Sequence, residues 1–153
     1  MYGIDLFIVG ASITVVVVTV MIHYEASALL TRIMDRRSHM AQRPRILLLI
    51  FGLLAAHLVE ICFFALGAWT MIALPGAGNL HWVGTVNHAG VTFFDFLYLS
   101  LVTYTTLGYG DLVPDGPISF LYGLESLTGF VLITWSASLT FIEMQKHWKP
   151  SKR

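Results

Sequence analysis

Thr103-Tyr104-Thr105-Thr106-Leu107-Gly108-Tyr109-Gly110-Asp111 stands between a short apolar segment and a long one. Two threonines lead into it, two glycines flank a tyrosine, and an aspartate closes it. An extended strand alternates the direction of its carbonyls, so consecutive carbonyls face one side only where backbone torsions change sign. Glycine makes that change without steric penalty. Gly108 and Gly110, alternating with Leu107 and Tyr109, are placed for it. The reading of this stretch depends on what surrounds it.

The chain has 153 residues, 56% hydrophobic and 12% charged, whereas a soluble domain carries roughly 25% charged residues. The mean hydropathy is +0.73. Crossing ~30 Å of hydrocarbon takes about 20 mostly apolar residues. Three stretches meet that need: 6–22, 46–74 (interrupted by His57 and Glu60) and 118–144 (interrupted by Glu125 and Glu143). A fourth run, 91–107, carries Asp95 and is short for a full span. No Lys or Arg precedes the first stretch and no small-residue cleavage site follows it, so it is read as a helix rather than a signal peptide. Cys62 is the single cysteine, which excludes an intrachain disulfide.

Charge supplies the topology. The nine Lys and Arg fall at Arg32, Arg36, Arg37, Arg43 and Arg45 and at Lys146, Lys149, Lys152 and Arg153. Basic residues mark cytoplasmic flanks. Residues 23–45 and the C-terminus are therefore expected in the cytoplasm, and the N-terminus and 75–117 outside. Three spans and one outward-facing re-entrant segment satisfy this; four spans would separate the two basic clusters.

Along the chain, residues 5–23 are expected as the first helix, with His23 and Glu25 at its cytoplasmic end. Residues 24–45 read as a basic amphipathic segment on the inner leaflet. Residues 46–73 form the second helix, entered at Pro44. His57 and Glu60 lie three apart and share a face. An ionisable residue inside a span raises a functional site; a hydrogen bond to a Ser or Thr of the first helix is the structural alternative. The glycine- and proline-rich stretch 75–91, with His81 and His88, reads as an extracellular loop. Thr92-Phe93-Phe94-Asp95 has the spacing of a capping box, and Phe96–Thr105 then make about three helical turns. Such a helix can sit at membrane depth only when protein or a water-filled cavity surrounds it. Pro114, Gly116 and Pro117 break the chain before the last helix, 118–144.

The chemistry of a cation filter fits the central stretch. Backbone carbonyls turned to one axis replace an ion's hydration shell. Thr106 adds a hydroxyl at the inner entrance, the preceding helix points its negative end at the cavity, and Asp111 adds an acceptor at the outer mouth.

The run from Phe96 to Pro114, with Thr-Thr-x-Gly-Tyr-Gly-Asp-x-x-Pro inside it, resembles the pore loop of tetrameric potassium channels. The second span, loop and third span resemble that family's outer helix, pore helix with filter, and inner helix, over about two thirds of the chain. The resemblance implies an all-α membrane protein: three transmembrane helices plus a re-entrant pore helix and selectivity-filter loop, assembling as a homotetramer. It divides the chain into an N-terminal helix and basic loop (1–45), a pore domain (46–144) and a basic tail (145–153).

By the same resemblance Thr106, Leu107, Gly108, Tyr109 and Gly110 line the filter, with K+ held at Thr106, Leu107, Gly108 and Tyr109. Thr105, Asp111, Tyr98 and Asp95 support it, Tyr109 bonding behind the filter. Gly129 is the candidate inner-helix hinge, and Thr134 and Ser138 are candidates for the cavity wall. Glu125 lies within reach of the pore helix.

The expected function is passive, potassium-selective conduction in a bacterial inner or other plasma membrane. A poorly selective cation channel of the same fold is one alternative; a non-conducting structural subunit or membrane enzyme, suggested by His57 and Glu60 alone, is another. K+, membrane lipid and further copies of the chain are the expected partners, with no cofactor and no nucleic acid. No span carries arginine at every third position, so a voltage sensor is not expected. Leu107 stands where Val or Ile is commoner.

Overall fold

The computed structural model describes residues 2–37, 41–84 and 90–146. Its elements run α1 (Tyr2–Arg36), α2 (Gln42–Ile72), β1 (Asn79–Trp82), α3 (Phe93–Tyr104), β2 (Leu112–Asp115) and α4 (Ser119–Gln145). Helices α1, α2 and α4 are each long and apolar enough to cross a membrane, and α3 is not. The molecule is thus an all-α membrane protein with three spans and a short inserted helix.

Two boundaries differ from the sequence reading. The first helix does not end near residue 23. It continues as one helix of 35 residues through the expected amphipathic segment, about 52 Å long at 1.5 Å per residue. The reason lies in packing: Leu30 and Met34 bury against Leu49 and Leu53 of α2. Side chains expected to lie on lipid thus extend a helix pair instead. Consequently His23 sits within α1, fully buried, rather than at its end. Helix α2 begins at Gln42, which places Pro44 in its first turn, where its missing N–H leaves no bond unmade.

The main core forms where α3 inserts between the long helices. Phe64, Ala65 and Ala68 of α2, Phe96, Leu99, Val102 and Tyr104 of α3, and Leu121 and Tyr122 of α4 are buried together, with Ile8 of α1 completing it. At the opposite end Arg45 and Glu143 are joined through Nε and Oε1 at 2.6 Å. The start of α2 and the end of α4 therefore share one side, as the placement of the basic residues requires.

A two-stranded antiparallel sheet was not foreseen. β1 pairs with β2 in the register Asn79↔Asp115 to Trp82↔Leu112. Glycine and proline flank both strands and made the region read as loop; Pro114 is tolerated because a two-stranded ribbon has only edges. The ribbon ties the stretch before α3 to the stretch after the glycine turn, reinforced by Val83 N–H donating to Asp111 O at 2.8 Å and Ile118 N–H to Ala77 O at 2.9 Å.

Candidate functional site: the pore loop and its support

Helix α3 starts where the capping box places it. Asp95 Oδ2 accepts from the Thr92 amide at 2.6 Å and from the Thr92 hydroxyl at 2.9 Å. This satisfies a donor that a helix start otherwise leaves open. Asp95 therefore fixes the start of α3, the end away from the glycine turn. The other end runs directly into the glycine-rich turn. Thr105 Oγ1 donates to Leu101 O at 2.8 Å, and Thr106 N–H to Thr103 O at 2.9 Å. The Leu107 and Gly108 amides both donate to Val102 O, at 2.8 and 3.0 Å. In a strand, consecutive amides face opposite ways; here two in a row face the end of α3.

Gly108 and Gly110 have positive φ, 50° and 76°, the torsion change read from the sequence. Thr106 has φ 58° as well, which sequence reasoning assigned to the glycines alone. A β-branched residue is strained in that region. Such strain persists only where neighbouring structure holds it, and the bonds to Thr103 and Val102 are the restraints on either side.

Beyond the turn, the Tyr98 hydroxyl donates to Asp111 Oδ2 at 2.6 Å. The bond to this carboxylate lifts the Tyr98 hydroxyl from its usual 10 to about 12. Asp111 Oδ1 accepts from the Leu112 amide at 3.0 Å, and Trp82 of β1 stacks on Tyr98 with ring centroids 6.2 Å apart. Tyr98 and Asp111 thus brace the turn's outer end against α3 and the ribbon.

Leu107 and Tyr109 depart from expectation. Their side chains were read as turned back into the protein, yet they are 55% and 67% exposed. Among the described residues of a single chain nothing walls the turn from behind: α3 presents its buried face to α2 and α4, and its other side is open. Thr134 and Ser138, the candidate cavity residues, lie on an exposed face of α4, each hydroxyl bonded back to a carbonyl four residues earlier, at 2.8 and 2.9 Å. Gly129 is buried against α3, and a Cβ there would collide with the Tyr104 carbonyl. That close approach accounts for glycine without any bend. Ser100 Oγ donates to Glu125 Oε2 at 3.4 Å, the predicted reach of α4 to the pore helix.

His57 and Glu60 do face protein, and their partners are not the Ser or Thr of the first helix. Glu60 accepts from the Tyr104 hydroxyl at the end of α3 and lies 2.9 Å from His23 Nδ1 of α1. His57 contacts Glu60 Oε2 through Nδ1 at 3.2 Å and Ser136 Oγ of α4 through Nε2 at 3.0 Å. Sequence reasoning missed His23, Tyr104 and Ser136. The signal available was a second intramembrane histidine, His23, concealed by ending the first helix too early. Of the loop histidines, His81 lies 3.6 Å from Asp115, both exposed; His88 lies outside the described residues.

Two spans enclosing a capped re-entrant helix that ends in a glycine turn define a multi-pass membrane protein with a pore loop. The model of the family described as "Ion channel" matches residues 46–146, from the second helix to the end of the third. The chain belongs to that ion channel family, with the outer helix, pore loop and inner helix of the potassium channel pore family. It is similar to the two pore potassium channel c of Oryza sativa subsp. japonica, 33% identical over 114 residues. The match covers 69% of this chain, which spans 22% of that protein's length. No solved structure matches.

Proposed function

We propose that the chain forms a homotetrameric, potassium-selective channel that conducts K+ passively. The observation that carries this is the run Thr105–Asp111 at the C-terminal end of a capped, non-spanning helix held between two spans. Each pore-loop feature has a part in the mechanism. The negative end of α3 favours a cation beneath the turn. Positive φ at Gly108 and Gly110, and consecutive amides facing α3, support carbonyls of Thr106, Leu107, Gly108 and Tyr109 turned the other way, toward K+. Gly110 closes this filter, and Tyr98 and Asp111 hold its outer end. The exposed faces of Leu107 and Tyr109 become the contact with the neighbouring copies, which supply the missing wall. Thr134 and Ser138 line the cavity below.

In this reading residues 46–144 are the pore domain, 1–45 an added helix with its basic loop, and 145–153 a cytoplasmic tail. The protein sits in a plasma membrane, N-terminus outside, in contact with lipid, and conduction itself requires no cofactor. The name of the rice relative, a potassium channel, supports the ion assigned.

Flux into vesicles containing the purified protein tests the proposal. Potassium uptake is expected to exceed sodium uptake by far, and cross-linking in detergent is expected to end at four copies. Equal rates for the two ions would establish a poorly selective channel instead; no flux of either would remove the conduction reading.

A further inference from the structure

Among the described residues, a buried cluster of ionisable groups away from the filter joins α1, α2, α3 and α4. His23, His57 and Glu60 offer three ligand atoms within 4.8 Å of one another. Both imidazoles turn Nδ1 to the Glu60 carboxylate, His23 at 2.9 Å from Oε1 and His57 at 3.2 Å from Oε2. Both turn Nε2 to one hydroxyl, Ser136 Oγ, at 3.5 and 3.0 Å respectively. The Tyr104 hydroxyl meets the cluster from α3: it donates to Glu60 and lies 2.9 Å from His57 Nδ1.

Counting protons shows what this arrangement suits. A neutral imidazole carries one N–H. If each ring donates from Nδ1 to Glu60, each Nε2 becomes an acceptor, and both look to Ser136, which has one proton to give. With both rings in that tautomer, one stays unsatisfied in a buried site, where an orphaned acceptor is costly; with His57 protonated at Nε2 instead, its Nδ1 needs a proton from Glu60. If a cation takes the two Nδ1 lone pairs and a carboxylate oxygen, both ring protons sit on Nε2. Ser136 Oγ has two lone pairs and accepts both. A shared outer partner that fixes the tautomer of each ligating histidine is the usual second layer of a metal site.

The spacing agrees. Tetrahedral zinc, with bonds of about 2.0–2.1 Å, sets its ligand atoms about 3.4 Å apart. The three ligand atoms lie within 4.8 Å of one another, and the separations of 2.9 and 3.2 Å set one imidazole on each carboxylate oxygen, His23 on Oε1 and His57 on Oε2, so a single metal draws the two rings toward one of them. Two imidazoles and a carboxylate suit zinc and its neighbours rather than K+, Mg2+ or Ca2+, which prefer oxygen alone. Access exists: the His57 side chain is 13% exposed, and a cavity of about 430 Å³ lined by His57, Tyr104, Thr105 and Ser136 opens beside it.

We propose that His23, His57 and Glu60 bind one divalent transition metal of the zinc class per chain, with Ser136 orienting both imidazoles and Tyr104 beside the fourth position. The metal fastens α1, the helix outside the family match, to α2 and through Tyr104 to the base of the filter.

Tag-free protein in detergent, stripped with a chelator and dialysed, is titrated with Zn2+ by calorimetry and with Co2+ by absorption. One Zn2+ per chain and the visible bands of tetrahedral Co2+ are expected, with a rise in the thermal midpoint. His23→Gln and Glu60→Gln are expected to lose both signals, and His81→Gln neither. Ser136→Ala removes no ligand and keeps the stoichiometry, but weakens affinity about 10- to 100-fold. Should His23→Gln fail to fold, Ser136→Ala still decides: affinity equal to that of the unmodified protein overturns the assignment. So does the absence of stoichiometric Zn2+ from the unmodified protein, in which case a single extra proton on one ring closes the network instead.

Discussion

Residues 106–110 are exposed throughout in one chain, whereas His23, Glu60 and Ser136 are buried in it. The glycine turn takes nearly all its residues from one contiguous run and is open to solvent on its far side. The polar cluster draws His23 from α1, His57 and Glu60 from α2, Tyr104 from α3 and Ser136 from α4, 113 positions apart at the extremes, and is buried within the chain. The turn is local in sequence and incomplete without neighbours. The cluster is dispersed in sequence and assembles without them. Backbone chemistry can be specified by a short run, because φ preference belongs to each residue. Side-chain chemistry among buried groups needs packing to bring the groups together and to exclude water.

Substitutions can break this contrast, and the largest effect is expected at the turn. Gly108→Ala forces a side chain onto a residue at φ 50° in a run of carbonyls that must stay in line. Potassium flux is expected to fall to that of empty vesicles while the thermal midpoint barely moves. A large loss of stability with flux retained per folded channel would show that the turn is structural.

Glu60→Ala should do the reverse. It leaves His23, His57 and Tyr104 without their common acceptor inside the bundle, and removing one member of a buried charged set destabilises by about 3–5 kcal/mol. Denaturant unfolding in detergent measures this; a change below 1 kcal/mol, by the same principle, would mean the cluster is solvated.

Gly129→Ala probes the seam between the two regions, since Tyr104 contributes its carbonyl to that contact and its hydroxyl to Glu60. Overpacking there is expected to destabilise by about 1–3 kcal/mol. An unchanged midpoint with altered open probability would favour a hinge.

Tyr98→Phe is expected to act most gently. It removes the bond to Asp111 but keeps the ring stacked on Trp82, so flux persists with reduced preference for potassium over sodium. The sign of the pH effect follows from the raised pKa of about 12. The hydroxyl stays protonated and donating at every pH below its ordinary value near 10 and is lost only as pH rises toward 12. Selectivity should therefore be flat from pH 7 to 9 in both proteins as far as this bond is concerned. A steep change over that range, absent from Tyr98→Phe, would assign the bond a different protonation.

Much of the architecture was legible before any coordinates. Apolar lengths identified three spans, and nine basic residues in two clusters allowed one re-entrant segment. Thr92 and Asp95 marked the start of α3, and Gly108 and Gly110 the change of torsion. The illegible parts share one cause. Leu30 and Met34 look like lipid-facing residues until Leu49 and Leu53 are opposite them, so the first helix seemed to stop early and His23 fell at a boundary. The β1–β2 ribbon is four residues on each side, with glycine or proline at its ends, too short for alternation to show. Thr106 adopts positive φ because the end of α3 holds it, which no residue preference predicts.

The sequence by itself determined the membrane class, the number of spans, the common side of the basic flanks and the site of the glycine turn. Each of these follows from hydropathy, charge or the torsional freedom of residues adjacent in the chain. Only the tertiary structure decided that α1 runs unbroken to Arg36, that Tyr98 and Asp111 brace the turn, and that His23, His57, Glu60, Tyr104 and Ser136 meet. Those contacts join residues far apart in the chain, and only the packing of α1, α2 and α4 around α3 brings them within bonding distance.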